Sequence, residues 1–231
     1  PAVSPDASFC QDSVATIAYI ESTMNDLRLD FPATGRNSQA ICDVLSSYLT
    51  GKTGDVLEIG SGSGQHALYF ANNFPLLTFW PTDIEPHHLA SIDAWQTEIG
   101  LTNLRPAKSL DALRAHWGLG LKGMAPETGL AAIICINVIH ISPWALAEQL
   151  LQRAAHHLGA DGFLYLYGPY KRGGKHTTES NARFDLSLKA KDPAWGVRDI
   201  EEVEKIAAEN GLLLRHIIEM PANNFSLVLT R

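Results

Sequence analysis

In Asp55-Val56-Leu57-Glu58-Ile59-Gly60-Ser61-Gly62-Ser63-Gly64 a short apolar run passes directly into three alternating glycines, and a helical pattern opens near Gln65. Glycines at such a turn let the backbone bend tightly and approach a ligand where any Cβ would collide. The pattern implies a strand, a loop and a helix around a nucleotide-like cofactor, with a purely structural turn or another nucleotide site as the rival readings. A dinucleotide fingerprint needs Gly-x-Gly-x-x-Gly. Counted from Gly60 the third glycine position holds Gln65, and counted from Gly62 it holds Ala67, so a nicotinamide cofactor is disfavoured.

On the N-terminal side of this stretch, Ile41, Val44, Leu45, Tyr48 and Leu49 recur at helical spacing, with Ser38 as candidate cap and Gly51 as terminator. On the C-terminal side, apolar runs at Leu76 to Trp80, Ala131 to Ile136 and Phe163 to Tyr167 alternate with helical patterns. One such helix opens at Ser142-Pro143 and closes at Gly159, and another carries Asp199 and Glu202 as a candidate capping box. Alternating β and α units predict an α/β fold with a doubly wound, mostly parallel sheet. Leu212 to Met220 and Phe225 to Leu229, joined by Pro221-Ala222-Asn223-Asn224, predict a C-terminal hairpin that adds one antiparallel strand.

The whole chain, 1–231, reads as a single domain: a core over 34–231 and a helical extension over 1–33, where Val14, Ile17, Ala18, Met24 and Leu27 give a partial stripe suited to a lid or to packing. Apolar residues are 45% and charged residues 19%, with no run long enough for a membrane span. A formal charge of −7 argues against nucleic acid, whose binders cluster Lys and Arg. The one basic stretch, Lys171 to His176, is glycine-rich and reads as a solvated loop. Cys10, Cys42 and Cys135 lack metal-knuckle or redox spacing, and the N-terminus lacks a secretory layout, so a reducing, cytoplasmic setting is expected. The missing initiator Met points to processing or trimming.

Asp83 ends the second apolar run, 19 residues beyond Gly64, where a carboxylate suits both hydroxyls of a ribose; its rival role is a turn or N-cap before Pro86. Asp111 follows the run Asn103 to Leu110 and suits an adenine amino group or the cap of a helix over Ala112 to Trp117. His140 stands after the fourth strand, at the carboxyl end of the sheet, and suits either a general base of near-neutral pKa or a histidine satisfied by backbone. The pairs His87-His88 and His156-His157 lack converging ligand spacing, so they read as surface residues and no metal is expected.

The glycine spacing resembles motif I of the class I methyltransferases, which use S-adenosylmethionine (SAM). Within that class, Ile59 to Ala67, Ile139-His140-Ile141-Ser142-Pro143-Trp144, Leu166-Tyr167-Gly168-Pro169-Tyr170 and Met220 to Asn224 resemble the methyltransferase-like 26 group. The likeness spans about 34–231 and takes in Gly35-Arg36-Asn37, Asp192 to Gly196 and Arg198-Asp199. It implies a seven-stranded sheet and SAM but no particular acceptor. By the same resemblance Gly60, Ser61, Gly62 and Gly64 face the methionine portion, Asp83 the ribose, Ile84 and Asp111 the adenine, and Asn137 the amino group, which Glu58 also orients. Arg36 is expected on a carboxylate of SAM or of substrate. Tyr167, Tyr170, Asn181, Trp195, Arg198, Asn223 and Asn224 are expected around the acceptor, with Tyr167 and His140 nearest the chemistry. The expected reaction is in-line methyl transfer to a small-molecule oxygen, nitrogen or sulfur. A SAM-binding regulatory or scaffold protein, or a protein methyltransferase, is the alternative, and a homodimer is compatible with all of them.

Overall fold

A computed structural model describes residues 26–231. In chain order these form α1 (Pro32–Leu49), β1 (Gly54–Ile59), α2 (Gln65–Asn73), β2 (Leu77–Asp83), α3 (Pro86–Ile99), β3 (Lys108–Ser109), β4 (Leu130–Ile136), α4 (Trp144–His157), β5 (Leu158–Gly168), β6 (Tyr170–Arg172), β7 (Lys175–His176), α5 (Glu179–Lys191), β8 (Arg198–Asp199), α6 (Ile200–Glu209), β9 (Leu213–Met220) and β10 (Asn224–Thr230). Of the N-terminal stripe only Leu27 is included; Val14, Ile17, Ala18 and Met24 lie outside the described residues.

The principal sheet has seven strands in the order β3-β2-β1-β4-β5-β10-β9. β1 pairs parallel to both β2 and β4, so the winding reverses there and a crevice opens beyond the carboxyl ends of these strands. β10 runs antiparallel to β5 and to β9 and is the reversed strand that the terminal hairpin predicts. Both faces of the sheet are covered at its centre, which is why β4 and the second half of β5 are continuously apolar. Ile133, Cys135, Leu164 and Leu166 meet α4 and α6 on one face. Ile134, Ile136, Tyr165 and Tyr167 meet α1 and α2 on the other.

Several local expectations are corrected. α1 begins at Pro32, whose fixed φ suits a first turn, so Ser38 lies inside the helix and its hydroxyl donates to the Thr34 carbonyl at 2.7 Å. Ala112 to Trp117 is turn, not helix. Asp111 instead closes a tight turn by accepting from the Leu113 N–H at 3.0 Å. α4 ends at His157, and Gly159 already belongs to β5. Asp199 does cap α6, through the Glu201 N–H.

Lys171 to His176 is not a free loop. It forms the β6–β7 hairpin of a three-stranded sheet completed by β8. Glu201 and Asp199 hold the backbone of Gly173 and Gly174 at its tip.

Candidate functional site

Three glycines in left-handed backbone build the loop after β1. A Cβ on Gly60 would meet Val138 Cγ2 at 2.5 Å, and one on Gly64, at φ +88°, would meet the Ile92 backbone at 2.9 Å. No other residue type allows this approach of β1, α3 and the loop after β4. The loop floors a cavity of about 570 Å³, within the range of small-molecule sites. Gly60, Ser61, Gly62, Asp83, Ile84, Asp111, Asn137 and Trp195 among the expected site residues line it.

Asp83 is buried and heavily engaged. Its Oδ2 accepts from the Gly62 N–H at 2.8 Å, and its Oδ1 accepts from the Glu85 N–H and from His88 Nδ1, each at 3.0 Å. A carboxylate offers about four lone-pair sites. Room remains for about one further hydrogen bond, not the two expected. His88 thus leaves the surface for the cavity wall, edge-on to Phe31 at 5.7 Å, whereas His87 stays exposed. His157 is likewise buried, with Nδ1 on the Glu127 carbonyl.

Glu58 lies at the end of β1, under the glycine loop and 3% exposed. Burial pushes its pKa up to about 7, opposed by a hydrogen bond from Ser61. Among the described residues its Oε2 has no hydrogen-bond partner. An unpartnered buried carboxyl oxygen is costly unless something completes it. Asn137 ends β4 at φ +58°, uncommon for a residue with a side chain. Its N–H is held by the Tyr167 carbonyl at 2.9 Å, which turns the loop after β4 toward the cavity.

The remaining expected residues do not meet there. His140 is 1% exposed, beneath Gly168, with Nε2 3.3 Å from Asn137 Oδ1 and Nδ1 without a partner among the described residues. Burial, aided by the Arg198 charge, lowers its pKa to about 3, below the near-neutral value expected of it, and its ring does not line the cavity, so it is out of reach of an acceptor there. Tyr170 is fully buried in the α4/α6 layer because Gly168 and Pro169 turn its side chain inward. Tyr167 packs in the opposite layer, and burial raises its pKa.

Arg198 spends its guanidinium on the carbonyls of Ile139, Ser142 and Ala194 while lying over Trp144. It braces the loop after β4 instead of facing a ligand. Asn181 is buried and donates to Thr177 and to the Asn223 carbonyl. Asn224 donates to the Pro221 carbonyl, and with left-handed Ala222 and Asn223 this makes the β9–β10 turn. Arg36 is exposed on α1 and does not line the cavity.

His66 and Thr34 were not signalled by the sequence, whereas Phe31 and Ala33 fall in the extension over 1–33 that reads as a lid or as packing. Phe31, Ala33, Thr34 and His66 all line the cavity. The segment is tied down by Gln65, which accepts from the Phe31 N–H and donates to Asp30, and by Ser91, which accepts from the Leu29 N–H. The adjacency of Gln65 and His66 to the glycines was the available signal.

The architecture is that of the class I methyltransferases. An O-methyltransferase family protein from Burkholderia thailandensis superimposes with a TM-score of 0.72 at 16% identity, over 86% of this chain and 57% of that one. An O-methyltransferase family 2 protein from Planctomyces limnophilus, solved with apigenin, gives 0.69 at 16% identity, over 99% and 63%. An O-methyltransferase from neocarzinostatin biosynthesis, solved with SAM and 2-hydroxy-5-methyl naphthoic acid, gives 0.60 at 16%, over 85% and 57%. The chain therefore spans little more than half the length of these proteins. A family model described as protein of unknown function (DUF938) matches residues 29–231.

Proposed function

Since the chain belongs to the DUF938 family, described only as protein of unknown function, we infer from the site that it binds SAM and transfers the methyl group to a small-molecule acceptor. The observation that carries this is the pairing of a glycine cradle with Glu58, a buried carboxyl whose Oε2 has no partner among the described residues. Glu58 lies behind the cavity lining, so an ammonium group over the loop would complete that oxygen through a water. Asp83 then takes a ribose hydroxyl, with Ile84, Ala112 and Leu113 against the adenine. Bound there, SAM supplies an electrophilic methyl on a cationic sulfur.

The lining suits that charge. It holds Asp83, Glu85 and Asp111, and among its described residues no Lys or Arg. The chain's own contribution is to fix the cofactor, exclude water with Phe31 and Trp195, and align an acceptor; such positioning is worth up to ~7 to 11 kcal/mol. Relatives of this architecture were solved with a naphthoic acid and with apigenin, which supports a small-molecule acceptor here. The closer resemblance to the methyltransferase-like 26 group agrees with this reading. We further take 34–231 as one catalytic domain whose lid begins with the segment before α1. Cys42 and Cys135, both free, favour a reducing, cytoplasmic setting.

Calorimetry with S-adenosylhomocysteine (SAH) tests the reading. Binding is expected, weakened in Asp83→Asn by ~1.5 to 3 kcal/mol, the range for hydrogen bonds to a charged group. Tight NADH binding with no SAH binding would reject it. SAH binding without methyl transfer to any component of a small-molecule extract would favour the regulatory or scaffold reading.

A further inference from the structure

His66 follows the glycine cradle directly, in the first turn of α2, and its ring forms part of the cavity wall. Its Nε2 lies 2.8 Å from Asn37 Oδ1 on α1. An amide oxygen can only accept, so the ring proton sits on Nε2 and the lone pair is on Nδ1. Among the described residues that lone pair has no partner. The ring is further held by stacking on Phe70, with centroids 5.6 Å apart and planes 10° from parallel. Burial keeps it uncharged by lowering its pKa to about 4. His140, buried beneath Gly168, does not line the cavity.

We propose that His66 is the catalytic residue that accepts the proton of the methyl acceptor, an uncharged molecule presenting an O–H, N–H or S–H group. This rests on the methyl-transfer reading above. The acceptor atom uses its lone pair to bond the methyl carbon, the electron pair of the broken carbon–sulfur bond stays on sulfur, and the acceptor's proton passes to Nδ1. The positive charge on sulfur disappears as an imidazolium forms, so the net charge of the buried site is unchanged. Proton release to solvent on product departure restores the ring. An anionic acceptor is disfavoured because no Lys or Arg lines the described wall to pair with it. Asn37 then acts behind His66, holding its Nε2, as a positioning residue.

The experiment uses the full chain saturated with SAH, labelled with nitrogen-15 in histidine, and titrated with 1-naphthol, phenylmethanethiol and aniline as neutral probes. Long-range proton–nitrogen spectra are expected to show His66 with a proton on Nε2 and a bare Nδ1 that shifts when a probe binds. Methyl transfer from SAM to the best probe is expected to fall by ~10² or more in His66→Gln, the range for loss of a general base, with SAH affinity unchanged. Asn37→Leu keeps the ring but frees its tautomer, and is expected to show mixed protonation and a smaller loss of transfer. A proton on Nδ1, a ring signal that none of the probes moves, or wild-type transfer by His66→Gln overturns the proposal. So does a loss confined to SAH affinity, which makes His66 a cofactor residue. Failure of the wild type to bind SAH is a separate result: it removes the methyl-transfer reading, while the ring tautomer is still read.

Discussion

Three buried titratable groups give the protein a pH signature. His140 and His66 fall from 6.5 in the unfolded chain to about 3 and about 4 when folded. Between those values and 6.5 the unfolded state binds more protons, so their contribution is fully present above about pH 6.5 and is lost as pH falls. Glu58, raised from 4.5 to about 7, acts in the opposite sense: its contribution is present below 4.5 and is lost as pH rises toward 7. Urea unfolding of wild type and His140→Asn across pH 7 to 4.5 separates the terms. The variant is expected to lose acid sensitivity by up to ~1.4 kcal/mol per pH unit below 6.5, the linkage of one proton. Parallel pH curves for the two proteins would remove the buried neutral His140. At this scale the sequence was half legible. Gly60, Asp83, Ile84, Asp111 and Asn137 were recognisable and meet at the cavity because they stand at or just beyond strand ends, and Trp195 joins them from the turn between α5 and β8. His140, Tyr170 and Arg198 were misplaced because sequence gives a residue's position after a strand but not which layer a turn sends its side chain into.

Whole elements were more legible than their ends. Strands β1, β2, β4, β5, β9 and β10 coincide with the apolar runs within a few residues. The small β6, β7 and β8 sheet escaped notice because strands of two or three residues have no measurable period. Ser38 misled because a good capping residue lay one turn inside a helix that Pro32 could start. The glycine loop gives a test at this scale. Gly64→Ala combines a left-handed φ with a Cβ pressed on the α3 backbone, and is expected to cost more than the ~1 to 3 kcal/mol of backbone strain alone. Gly211→Ala, at φ +78° with open space around the new Cβ, carries the strain without the collision. Thermal melts should rank Gly64→Ala well below Gly211→Ala, with SAH binding lost only in the former. Equal melting points would mean that α2 and α3 do not meet through this glycine.

For the molecule as a whole, the doubly wound topology was legible because alternating runs leave few ways to close a parallel sheet, and the hairpin fixed the reversed strand. Its charge was legible too, at −7, but the sequence did not say where that charge would act. The cavity wall carries three carboxylates and, among its described residues, no Lys or Arg, and this has a kinetic side. SAM carries one more positive charge than SAH, so the field that draws the fresh cofactor in has less hold on the spent one. Raising the salt concentration screens that field. The dissociation constant of SAM should therefore rise with added sodium chloride while that of SAH stays nearly flat, and equal salt slopes would discount the acidic wall. Product inhibition should accordingly be weakest in dilute buffer, where each transfer cancels the charge that held the cofactor and so favours its exchange.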